Sequence, residues 1–91
     1  MMVRMKVKDV DKWKILFEEH ANARKHSGSK GGYLFQNADD PAETIFLLEW
    51  DNLENARRFA GDLSVQAVLM QAEPTDRPSV YFLNTVSKPD H

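Results

Sequence analysis

The run ETIFLLEW, residues 43–50, constrains the fold more than any other part of the chain. It carries β-branched and aromatic residues between Pro41 and the Asp51-Asn52 pair, so it predicts a strand. Side chains alternate between the two faces of a strand. Phe46, Leu48 and Trp50 therefore point one way, and Ile45 and Leu47 the other. A sheet built around such a strand is apolar on both faces and must be covered on both. One layer of helices covers one face, and the other calls for something more.

The rest of the chain supplies the partners of that strand. MMVRMKV, residues 1–7, alternates Val3, Met5 and Val7 against Arg4 and Lys6 and predicts a first strand. Asp9 is placed to cap a helix, its carboxylate accepting from the free N–H groups of the first turn. Val10, Trp13, Phe17, Ala21 and Arg24 then recur at steps of three and four, with Leu16 and His20 beside them. That spacing predicts a helix of about four turns, with Gly28 as its left-handed stop. GYLFQN, residues 32–37, predicts a second strand, joined to ETIFLLEW through a turn around Asp39-Asp40-Pro41. Asp51 with Glu54 three residues on resembles a capping box opening a second helix. Ala56, Phe59, Ala60 and Leu63 are its stripe, Gly61-Asp62 interrupts it, and Val65, Val68, Leu69 and Ala72 resume it. Pro74 and Pro78 bracket a loop, and SVYFLNTV, residues 79–86, predicts the last strand. The expected organisation is one domain over 1–86 and a polar tail, SKPDH, over 87–91.

Strand, helix, strand, strand, helix, strand is the ferredoxin-like βαββαβ order. The fold class is α+β, a four-stranded antiparallel sheet with its helices on one face. The simplest cover for the other face is a second copy of the chain. Two sheets packed face to face about a two-fold axis form a dimeric α/β barrel. A chain of 91 residues buries only about two thirds of its unfolded surface, so a homodimer also supplements a thin margin of stability.

The series Asp9, Trp13, Phe17, His20, Arg24 and then a glycine resembles a group of small dimeric α/β-barrel proteins. So do Asp40-Pro41 and EWDNLENARRFA, residues 49–60, and together these features span about residue 6 to residue 83. The resemblance implies a ferredoxin-like homodimer akin to proteins labelled cyclase-like or antibiotic-biosynthesis-monooxygenase-like. It carries over no catalytic residue. The chain departs from the group at Ala72-Glu73-Pro74-Thr75, where the group tends to Ala-Gly-Val. The wider superfamily includes cofactor-free monooxygenases, lactone isomerases, haem enzymes and ligand-sensing domains, so the fold alone does not choose a function.

Composition narrows the chemistry. The net charge is −2 and no basic run exceeds Arg57-Arg58, which argues against a nucleic-acid surface. The chain has no cysteine, so thiolate nucleophiles, disulfides and cysteine-held metals are excluded. No apolar run is long enough to span a membrane and no signal-peptide core follows Met1, so the expected location is the cytoplasm. His20 and His26 are six apart, not the i, i+4 pair of a helical metal site, and His91 lies in the tail; no metal is expected. The glycines at 28, 31 and 32 precede a strand, whereas a phosphate loop opens a helix, and no cofactor is expected. Ser27, Ser29 and Ser64 have no adjacent base.

The candidate site is the helical stripe itself. His20 and Arg24 lie at i, i+4 on the face continued upstream by Trp13 and Phe17. Aromatic walls, a cation and an imidazole suit an anionic or polarised-carbonyl ligand, with Arg24 holding charge and His20 moving or positioning a proton. Tyr33, Asn37 and Trp50 are further candidate ligand contacts. The structural alternative for the pair is helix-end stabilisation, since cations near a helix C-terminus offset its macrodipole. Two functions follow. One is a homodimer that binds a small organic molecule between helices and sheet, with cofactor-independent monooxygenase, isomerase or cyclase-like chemistry. The other is a non-enzymatic binding or assembly module in which His20 and Arg24 are structural.

Overall fold

The computed structural model describes all residues from Met1 to His91. Its elements are β1 (Met2–Lys6), α1 (Val10–Glu19), α2 (Ala21–Ser27), β2 (Ser29–Gln36), β3 (Glu43–Trp50), α3 (Leu53–Ala60), α4 (Leu63–Gln71) and β4 (Ser79–Tyr81). The sheet order is β2-β3-β1-β4 and every neighbouring pair is antiparallel. This is the α+β ferredoxin-like arrangement that the element order predicts.

The two-faced strand sits at the centre. Val3 opposes Phe46, and Phe46 opposes Leu34, which places all three on the helix side. With Met1, Met5, Val7, Trp13, Leu48 and Ala72, Val3 and Phe46 form the core. Thr44 is also buried there and donates its hydroxyl to the Met5 carbonyl at 3.0 Å, so no polar group is left unpaired by it. On the opposite side the register aligns Tyr33 with Leu47 and Phe35 with Ile45. Tyr33 and Phe35 stack at 5.3 Å between centroids, and no helix covers them. Arg4 on the same face bridges Glu43 and Asp76, both at 2.8 Å, and Lys6 pairs with Asp40 at 2.8 Å.

Four local expectations are corrected. The four-turn helix is two helices, α1 and α2, meeting at His20, whose φ −98°, ψ 13° leave the helical well. Asp9 caps α1 as expected, accepting from Lys12 N–H at 3.1 Å, and Gly28 ends α2 at φ 111°. A Cβ at Gly28 would also meet Asp51 Oδ1 at 2.6 Å. β2 begins at Ser29 rather than 32, its register shifting between Ser29 and Gly31, and a Cβ on Gly32 would fall 1.9 Å from the Leu47 carbonyl oxygen. The cap of α3 is Asn52, which accepts from Asn55 N–H at 2.8 Å, while Glu54 pairs with Arg58. β4 stops at Tyr81 rather than 86 because Tyr81 already opposes Met2, the first residue of β1, and the partner strand runs out.

Candidate functional site

The end of α1 builds the site. The last carbonyls of a helix have no partner within it. Here two side chains supply partners. His20 Nδ1 lies 2.8 Å from the Leu16 carbonyl oxygen, and because a carbonyl only accepts, Nδ1 carries the proton and donates. Arg24 Nη1 donates to the Phe17 carbonyl, and the guanidinium carbon sits 3.8 Å from the centroid of the Phe17 ring. Both residues thus cap α1. The cap also orients them: with Nδ1 committed to Leu16, Nε2 is the ring nitrogen of His20 left for a ligand, and Arg24 keeps further N–H donors beyond the one it spends on Phe17.

These two side chains line a cavity of about 150 Å³ between the helices and the sheet. Trp13 and Phe17 form one wall, meeting edge to face at 5.7 Å, with Phe46 as the floor 5.5 Å from Phe17. Phe59 of α3 and Val65, Val68 and Leu69 of α4 close the other side, with Ser64 at the rim. Burial pushes the Arg24 guanidinium below its ordinary pKa, and no carboxylate offsets it. The ion pairs of the chain use Arg4, Lys6, Lys12 and Arg58, and Arg24 belongs to none. The buried indole Nε1 of Trp13 likewise has no acceptor. The cavity is therefore lined by a cation that keeps spare N–H donors and by an imidazole with one ring nitrogen outside the capping bond.

Of the residues singled out from sequence, Trp13, Phe17, His20 and Arg24 come together at this cavity. Tyr33, Asn37 and Trp50 do not. Tyr33 stands on the uncovered sheet face. Asn37 lies in the hairpin, where its amide donates to Glu43 Oε1 at 2.9 Å and its carbonyl accepts from Asp39 N–H at 2.9 Å. Trp50 packs on Phe59 at 5.0 Å and faces a separate, larger groove bounded by Leu53, Phe82 and Val86. That groove, about 850 Å³, lies against the C-terminal segment and has no basic residue in its lining. Phe46, Val65, Val68 and Leu69 line the first cavity although their sequence pattern marks them only as core, and Phe59 lines it with them. Their shared helix-side placement is the one sequence signal that groups them. No helix is long and apolar enough to cross a membrane, and no group of three or more His, Cys, Asp or Glu side chains is arranged to hold a metal.

No protein-family model matches the chain, and no curated protein matches it. Solved structures do. An antibiotic biosynthesis monooxygenase superposes with a TM-score of 0.74 at 14% identity, covering 94% of this chain and 96% of that one. SnoaB, a cofactor-independent oxygenase from Streptomyces nogalater, gives a TM-score of 0.69 at 14% identity over 96% of this chain and 94% of its own. The Mycobacterium tuberculosis protein Rv0793 gives 0.65 at 14% identity over 94% and 95%. At such identities the likeness is one of fold. The chain has the ferredoxin-like fold of antibiotic biosynthesis monooxygenase structures, and one such fold hosts many functions.

Proposed function

We propose that the chain acts as a homodimer, its sheets packed face to face, that binds a small organic molecule in the Trp13–Phe17–Arg24 cavity and performs cofactor-independent proton-transfer chemistry on it. The observation that carries this reading is the pairing, in one apolar cavity, of a half-buried cation without a counter-ion and an imidazole whose tautomer is set by the Leu16 carbonyl. In such a site Nε2 of His20 takes a proton from an acidic O–H, or from a C–H beside a carbonyl. Arg24 then stabilises the oxygen on which the negative charge collects, in surroundings where a charge-assisted hydrogen bond is stronger than in water. The proton moves to His20 and the electron pair to the ligand oxygen. Oxygenation, isomerisation and cyclisation all begin from such an anion, and the shared fold of SnoaB supports the first.

A second reading, a binding module without catalysis, is supported by the capping bonds themselves, because both side chains already have a structural use at the end of α1. Deuterium exchange at the central carbon of a small 1,3-diketone, followed by NMR in D₂O, separates the two. The enzymatic reading expects the protein to accelerate exchange and His20→Gln to abolish the acceleration. Binding of the diketone without acceleration supports the module.

A further inference from the structure

The size and the donor set of the cavity define its ligand more narrowly. We infer that the cavity takes a single-ring organic acid as its monoanion, its ring enclosed by Trp13, Phe17, Phe46 and Phe59 and its one negative charge, carried in or left when its proton passes to His20, on Arg24; this rests on the reading of the cavity as the ligand site. Three observations converge on it.

The first is volume. The cavity offers about 150 Å³, and a cavity of roughly that size lined by apolar side chains accommodates one benzene ring. A fused bicycle asks for more, and of the side chains around the chamber Trp13 and the floor, Phe46, are buried core, while Phe59, Val65, Val68 and Leu69 are half-buried. Packed interiors resist such expansion.

The second is charge. Arg24 is the one basic side chain of the lining with a permanent charge, it is half-buried, and it has no carboxylate partner. One uncompensated cation matches one negative charge. A dianion would leave its second charge among apolar side chains, which is costly.

The third is placement. Phe17 and Arg24 also border an adjoining cleft that contains Lys25, Lys30 and the Gly31-Gly32 edge of β2. Arg24 therefore stands at the boundary between an apolar chamber and a cationic mouth. A ligand whose ring lies in the chamber keeps its charged oxygen on Arg24, at the end that faces the lysines. Long-range attraction by Lys25 and Lys30 favours its approach at low salt.

Calorimetric titration of the full-length protein with three probes decides the matter: benzoate, its neutral isostere benzamide, and 2-naphthoate. The expected result is that benzoate binds at least about tenfold more tightly than either of the others, the size of effect a charge-assisted bond or one misfitted ring produces. Arg24→Gln is expected to erase the preference for benzoate over benzamide. Because Arg24 also caps Phe17, Val68→Phe serves as a second variant that fills the chamber without touching charge, and it is expected to abolish benzoate binding while far-ultraviolet circular dichroism is unchanged. Benzamide or 2-naphthoate binding as tightly as benzoate overturns the single-ring monoanion and leaves the cavity reading intact. Benzoate binding unaffected by Val68→Phe, or no ring bound at millimolar concentration, overturns both.

Discussion

The two faces of β3 carry similar side chains and have different surroundings. Phe46 and Leu48 are 5% and 3% exposed under the helices, whereas Leu47 between them is 38% exposed and its cross-strand neighbour Tyr33 65%. On the covered face aromatic side chains from three elements leave one small chamber, and His20 and Arg24, which reach it, are fixed by the broken end of α1. On the bare face the aromatics stack on one another, and the charged residues beside them are paired, Arg4 with Glu43 and Asp76 and Lys6 with Asp40. Spare hydrogen-bonding capacity is what a ligand site needs, and satisfied charges beside an apolar surface suit a protein interface. On the function proposed above, the covered face binds the ligand and the bare face is covered by a second chain.

Substitutions on the two faces therefore act differently. Leu47→Asp places a carboxylate in the middle of the bare face, and an isologous interface meets it twice. Burying an unpaired ion costs several kcal/mol, so sedimentation is expected to show a monomer, and a persisting dimer would break the comparison. Trp13→Ala empties the covered face. It is expected to cost about 3–5 kcal/mol in urea unfolding, the usual range for a buried aromatic, with the proposed contact between sheets retained. Asn52→Ala removes the cap of α3, away from both faces, for a loss of about 1 kcal/mol by the same measurement.

The charged cluster of the bare face sharpens the comparison through pH. Hydrogen bonds from Asn37 and Arg4 hold the Glu43 carboxyl below its usual range, and the Lys6 N–H with Arg4 does the same for Asp76. A carboxyl whose folded pKa is depressed contributes stability above its unfolded value and loses it as pH falls through the folded one. The melting temperature is expected to fall on acidification below about pH 4, and Arg4→Met to flatten that limb. An unchanged limb would show that the cluster does not contribute.

The architecture was legible because period-2 and period-3.6 patterns are set by burial, and burial is what the folded chain satisfies. ETIFLLEW showed both faces, and the stripe from Trp13 to Arg24 showed which side chains share a wall. The break at His20 was not legible, since no glycine or proline marks it and it depends on side chains capping Leu16 and Phe17. The early start of β2 was hidden because Ser29 to Gly32 reads as a loop, yet Gly32 is required there by its close approach to the Leu47 carbonyl. The placements of Tyr33 and Trp50 were beyond sequence reading, because an aromatic residue looks alike in a cavity, a groove and an interface.

Native mass spectrometry of the gently purified protein tests most directly the division of the sheet into a covered binding face and a self-covered face. The account predicts a dimer of two 10.5 kDa chains carrying a small non-covalent mass that is lost on denaturation and absent from Arg24→Gln. A monomer would contradict it.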